Sequence, residues 1–172
     1  MSVTSKFCRL VCGFQSFLRV TEDRVDATRD PEDQHATIEI ISFEERSIIF
    51  KGKASQKYIG VSPEGNIATY ETISERCVFT EESQMQQDYG NDFRLFHSKC
   101  FPLWYLGVTA IGNACAMSIS DKQAMGSALK YIEIDLDVYA PFGRYENHSF
   151  KRFEVHNTLY SRSKKGIYWR YT

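Results

Sequence analysis

No stretch of this chain holds the roughly 18 consecutive apolar residues that a membrane-crossing helix requires, so the 172 residues give no helical span. The four histidines are scattered at positions 35, 97, 148 and 156. There is no His-Glu-x-x-His pattern, no glycine-rich phosphate loop, and no nucleophile, base and acid standing together. An enzyme is therefore not expected. Cys8 and Cys12 are separated by three residues, but no second close Cys or His pair completes a zinc site, so neither a metal nor another cofactor is expected. The formal net charge of −1 gives no global reason for nucleic-acid binding. Helical periodicity is weak throughout. The best candidates, EESQMQQ and KQAMGSALK, are short, the second contains Gly126, and both read as turns or a single helical turn. The N-terminus, MSVTSKFCRLVCGFQSFLRV, lacks the uninterrupted apolar run of a signal peptide. Either the protein stays inside the cell or a leader has been removed.

What the chain does have is repetition. KYIGVSPEGN, from Lys57, and WYLGVTAIGN, from Trp104, are near copies, and SFLRVTEDRV, from Ser16, is a fainter one. Aligning Phe17, Tyr58 and Tyr105 places Leu18, Ile59 and Leu106 in register, then Val20, Val61 and Val108, at intervals of 41 and 47 residues. Each copy runs into a turn. Pro63 suits a first central turn position and Gly65 a positive-φ position, and Val25, Ile67 and Ala114 begin the returning strand. Each copy then meets another strand-like run, at ATIEII, RCVFTE and KYIEI, while SIIF and DFRLF open the next unit.

Three units of about four short strands, none able to bury its own apolar face, predict an all-β closed structure. Three propeller blades would be fewer than the usual four. A β-trefoil, a six-stranded barrel capped by three hairpins, is the architecture expected, with Leu18, Ile59 and Leu106 at equivalent core positions.

In order, the segments RLVC, FLRV, RVDATRDPEDQH, EERSIIFKG, KYIGVSPEGNI, ERCVFTEE and WYLGV resemble the fibroblast growth factor family over residues 9 to about 136. The resemblance implies a β-trefoil and a secreted, extracellular ligand. Its partner would be the immunoglobulin-like ectodomain of a fibroblast growth factor receptor, a receptor tyrosine kinase, with heparan sulfate or another co-receptor. It divides the chain into an extension at 1–8, the growth-factor domain at 9–136 and a C-terminal extension at 137–172.

Receptor contacts carry over residue by residue. Glu81 ends the CVFxE-type run, and a carboxylate there accepts several hydrogen bonds at once. Asp88 and Tyr89 match the following polar-Tyr pair, Tyr offering a flat ring and a hydroxyl. Ile132 and Ile134, following Tyr131, match the late Leu-Pro-Met pattern with Glu133 in place of proline. Val11 stands where the opening segment carries Tyr, so one aromatic anchor is missing. The resemblance aligns Cys12 and Cys77 with buried, unpaired positions. Cys100 and Cys115 flank the third hairpin and could bridge in an exported chain. The basic heparan-binding cluster is absent: GVTAIGNACAMSISDKQAMGSA holds one cation, Lys122, beside Asp121. Weak heparan sulfate binding by the core is expected.

Residues 137–172 are different in character, with 7 Lys and Arg against 3 Asp and Glu and nine aromatics, whereas residues 1–136 carry 14 against 19. Lys164 and Lys165 lie there and supply charge the core lacks, and so many aromatics suggest that part of this extension packs back on the body. Asn147-His148-Ser149 has the form of an N-glycosylation acceptor. Two other functions compete. An intracellular trefoil interaction protein, binding a cytoplasmic target, fits the missing leader. A trefoil lectin would need a repeated Gln-x-Trp element, which is absent, and Trp104 and Trp169 are unequally placed.

Overall fold

The computed structural model describes residues 3–12, 15–85, 92–118, 131–135, 158–163 and 166–171; residues 83–85, 92, 132, 134, 135, 158–163 and 166–171 are described in backbone alone. The described elements are strands and two short 3-10 turns. The strands are β1 (Thr4–Cys12), β2 (Phe17–Val20), β3 (Val25–Thr28), β4 (Ile38–Glu44), β5 (Ser47–Gly52), β6 (Tyr58–Val61) and β7 (Ile67–Tyr70). They continue as β8 (Val78–Met85), β9 (Asp92–Ser98), β10 (Trp104–Val108), β11 (Ala114–Ser118), β12 (Tyr131–Asp135), β13 (Thr158–Ser163) and β14 (Gly166–Tyr171).

Antiparallel pairing runs β1 to β4, β4 to β5, β5 to β8, β8 to β9, β9 to β12 and β12 back to β1, a closed six-stranded ring. The remaining strands of the sheet are three hairpins, β2–β3, β6–β7 and β10–β11, joined to the ring at β1, β5 and β9. This is the β-trefoil expected from the repeats. Closure leaves the barrel no open edge. Among the described residues β13 and β14 pair only with each other.

The repeated residues do what their spacing implied. Leu18, Ile59, Leu106, Val20, Val61 and Val108 are all fully buried, in one cluster with Cys8, Leu10, Phe50, Phe79, Phe96 and Tyr131. Phe50 packs on Phe79 and Phe96, and Phe96 on Tyr131, at ring separations of 5.4, 4.9 and 5.5 Å, within the range of favourable aromatic pairs.

The two near copies also make the same turn. Gly65 N–H donates to the Ser62 carbonyl and Gly112 N–H to the Thr109 carbonyl, both at 2.9 Å. Both glycines hold positive φ, 79° and 91°, where a β-carbon is strained. The first hairpin has no such glycine and closes through Thr21, whose N–H donates to the Arg24 carbonyl at 2.9 Å. The three turns interlock in a circle. Thr69 Oγ1 of the second hairpin donates to the Glu22 carbonyl of the first, at 3.4 Å. A β-carbon at Gly65 would lie 2.9 Å from the Trp104 ring of the third. Ala27 N–H of the first donates to the Gly112 carbonyl of the third, at 2.8 Å.

Two details differ from expectation. Glu81 to Met85, read as a turn or one helical turn, belongs to β8 and pairs with β9 from Glu81↔Phe96 to Met85↔Asp92; pairing across the barrel overrides the weak local propensity of Glu, Ser and Gln. β1 reaches back to Thr4, and Thr4 to Cys8 pair with β4, so the sheet begins before residue 9. The other candidate turn, KQAMGSALK, lies outside the described residues.

Candidate functional site

In an antiparallel ladder directly opposed residues point to the same face, and alternate residues share it. Lys6 alternates with Cys8 and Leu10 on β1 and opposes Ile40; Glu81 alternates with Phe79 and opposes Phe96; Arg94 opposes Tyr131; Glu133 alternates with Tyr131 and opposes Leu10. Since Cys8, Leu10, Ile40, Phe79, Phe96 and Tyr131 are core residues, these four charged residues stand on the inward face of the barrel. The hairpins join the ring at Val11, Lys51 and His97, toward the C-terminal ends of β1, β5 and β9. The charged residues lie toward the opposite end from these three hairpins.

There they neutralise one another. Arg94 Nη1 donates to Glu133 Oε2 at 2.7 Å and lies 2.9 Å from Glu81 Oε1; Lys6 Nζ pairs with Glu133 Oε1. The Glu133 side chain is 9% exposed, Glu81 23%, Arg94 34% and Lys6 43%. A carboxylate that deep needs its cations, because an uncompensated buried charge costs several kcal/mol. Glu81 N–H donates in addition to the Arg46 carbonyl in the β4–β5 turn, at 2.8 Å, which fixes its backbone.

Beside this group, on the outward face, Tyr105 Oη donates to Glu82 Oε1 at 2.8 Å and His97 Nε2 lies 3.6 Å from the same oxygen. A second ionic cluster holds the first hairpin. Arg19 donates from Nε and Nη2 to both oxygens of Asp26, at 2.7 and 2.8 Å, and from Nη1 to Asp33 at 3.0 Å. Burial opposes the charge of Asp33, but the His35 backbone N–H and the Arg19 guanidinium outweigh it and hold the carboxyl below its usual range.

The residues expected to contact a partner fare differently. Glu81 is accessible but already paired with Arg94. β12, which carries Ile132 and Ile134, is one strand away from β8 across β9, and Arg94 links the two; the Ile side chains themselves lie outside the described residues. Val11 is only 4% exposed, packed with Phe17 and Ala36, so its side chain serves the core and the contact expected there is not available to it. Asp88, Tyr89, Lys122, Asn147, Lys164 and Lys165 lie outside the described residues. So does the packing of the C-terminal extension against the body.

The bridge suggested for Cys100 and Cys115 is not formed, nor does any other disulfide link the five cysteines. Cys100 lies in the turn four residues before β10, whereas Cys115 opposes Gly107 near the other end of that strand, about 10 Å further along at the rise of an extended chain. Cys12 and Cys77 are buried. Among the described residues no group of His, Cys, Asp and Glu could hold a metal ion, and no helix is long and apolar enough to cross a membrane.

Sequence patterning alone did not single out Arg94 or Lys6. A signal for Arg94 is present in DFRLFHS, whose alternation sets Arg94 on the face of Phe96, and an inward-facing cation requires a carboxylate partner. What the segment does not supply is which one.

The sequence profile described as "Fibroblast growth factor" matches residues 6–125. The chain belongs to the fibroblast growth factor family. Among individual relatives, it is 28% identical over 109 residues to fibroblast growth factor 2 of Xenopus laevis, and 27% identical over the same length to those of Rattus norvegicus and Mus musculus. Each match covers 61% of this chain and 66% of the relative, a little under two thirds of its length. The family is one of growth factors rather than enzymes, and its trefoil agrees with the barrel and cap described here.

Proposed function

We propose that this fibroblast growth factor family member is a secreted ligand that docks on the ectodomain of a receptor tyrosine kinase of the fibroblast growth factor receptor class. The observation that carries this reading is the neighbourhood of Glu81: β8, β9 and β12 pair side by side, with Glu81 partly exposed toward the barrel end opposite the three cap hairpins. Asp88 and Tyr89 follow β8 in the chain, and Ile132 and Ile134 lie on β12, which pairs with β9 next to β8. Val11 is left out of the proposed contact. Heparan sulfate is a weak co-ligand in this proposal, because Lys122 stands alone in the stretch that would hold it and Lys164 and Lys165 carry the remaining charge. The intracellular alternative draws on the absence of any disulfide among five cysteines.

Equilibrium binding of the full chain to purified receptor ectodomains, with and without heparan sulfate, tests the reading. Glu81→Ala is expected to weaken binding by about 1–3 kcal/mol, the cost of deleting a hydrogen-bonded charge, with the barrel still folded. Absence of binding to every ectodomain would reject it in favour of the intracellular alternative. On a heparin column the chain is expected to elute at low salt, and earlier still with Lys164→Ala and Lys165→Ala combined.

A further inference from the structure

The two arginine clusters differ in one respect. Arg19 engages three guanidinium nitrogens inside the molecule, on Asp26 and Asp33. Arg94 engages one. Nη1 alone serves both Glu133 and Glu81, while Nε and Nη2 meet no acceptor among the described residues, and a third of the side chain is exposed. An arginine edge carrying parallel N–H donors matches the two oxygens of a carboxylate.

We propose that Arg94 is a partner-binding residue, taking an acidic side chain of the docking protein on its Nε and Nη2 edge, and that Glu81 and Glu133 are positioning residues that hold the guanidinium by Nη1. This rests on the receptor-docking reading above and names the chemistry of the surface it engages. A protein carboxylate fits better than a sulfated polysaccharide. The four side chains Lys6, Arg94, Glu81 and Glu133 sum to no net charge, so the site gathers no polyanion by charge density; it recognises a single carboxylate by geometry. Lys6 does not substitute for Arg94. An ammonium is a point charge without the planar fork, and the Lys6 ammonium already faces Glu133.

The test measures binding of the full chain to receptor ectodomains with Arg94→Lys and Arg94→Gln. Arg94→Lys keeps a cation beside Glu133 and so keeps the fold, yet loses the fork. At least a tenfold loss of affinity is expected, with an unchanged unfolding transition. Acid-to-amide substitutions across the ectodomain surface provide the second arm: one of them should weaken wild-type binding by a similar factor and Arg94→Lys binding by much less, since both remove the same contact. If folded Arg94→Lys and Arg94→Gln both bind like wild type, the proposal is overturned and the receptor reading stands. A loss that appears only against heparan sulfate and vanishes with salt overturns it equally. If the wild-type chain binds no ectodomain, the receptor reading fails and takes this proposal with it.

Discussion

The two ends of the barrel are built on opposite plans. At the capped end three hairpins present the same apolar residues three times over, and their turns interlock in a circle. At the other end no repeat operates: Lys6, Glu81, Arg94 and Glu133 come from β1, β8, β9 and β12 and meet as one asymmetric group. Burial of apolar surface is non-directional, so any leaf of the trefoil can contribute it at any of the three positions. Ion pairing is directional and singular. Each charge needs its own partner, and a single substitution leaves the other charge exposed to the core. The cap thus uses one packing solution three times, and the opposite end uses a single set of ion pairs.

The comparison can be broken most forcefully at the cap. Leu106→Ala removes a fully buried side chain and should cost about 2–5 kcal/mol; Leu18→Ala and Ile59→Ala should cost similar amounts if the three positions are equivalent. Urea unfolding of the three variants measures this, and one variant far milder than the others would deny the equivalence. At the opposite end, Glu133→Gln keeps the shape but removes the charge between Lys6 and Arg94. A loss of about 1–3 kcal/mol is expected, discounted from the fully buried case because both cations are partly exposed. Stability unchanged by that substitution would mean the group contributes no net pairing energy.

A smaller effect, of the opposite sign, is expected between the two ends. Tyr131 is fully buried, its hydroxyl meets no partner among the described residues, and burial pushes its phenol well above the ordinary range. Tyr131→Phe should stabilise the protein by about 1 kcal/mol, seen as a higher denaturation midpoint; a loss would reveal a bond to the hydroxyl. Smallest is the acid response of the first hairpin. The carboxyl of Asp33 is held below its ordinary 3.8, so its contribution is fully present above that value and fades as pH falls through the lowered one. Asp33→Asn should flatten that part of the acid unfolding curve without reshaping the curve near neutral pH; an unchanged acid limb would show that Asp33 has no part in it.

Much of the fold was legible in advance because the trefoil repeats itself. Phe17, Tyr58 and Tyr105 lie in register, the strands after them begin at Val25, Ile67 and Ala114 as expected, and Gly65 takes the positive φ assigned to it. The misreading of EESQMQQ has the same origin in reverse. Its first five residues, Glu81 to Met85, have no apolar alternation, and only pairing with β9 makes them a strand. Family resemblance drew attention to Glu81 as an expected contact, whereas nothing drew attention to its ion-pair partner Arg94, 13 positions further on. Glu133 was read as a replaced proline rather than as the deepest carboxylate of the group. Val11 shows the limit of transferring a position without its side chain: a Val in the place of a Tyr sinks into the core with Phe17 and Ala36.

By itself, then, the order of residues determined the triple repeat, the apolar positions that fill the barrel and the glycine turns that close two of its hairpins, because alternation and turn chemistry act over a few neighbouring residues. Only the tertiary structure decided that Lys6, Glu81, Arg94 and Glu133 meet. Closing the ring sets β12 between β1 and β9, and charges as much as 127 positions apart in the chain become neighbours through strand pairing that no local pattern encodes.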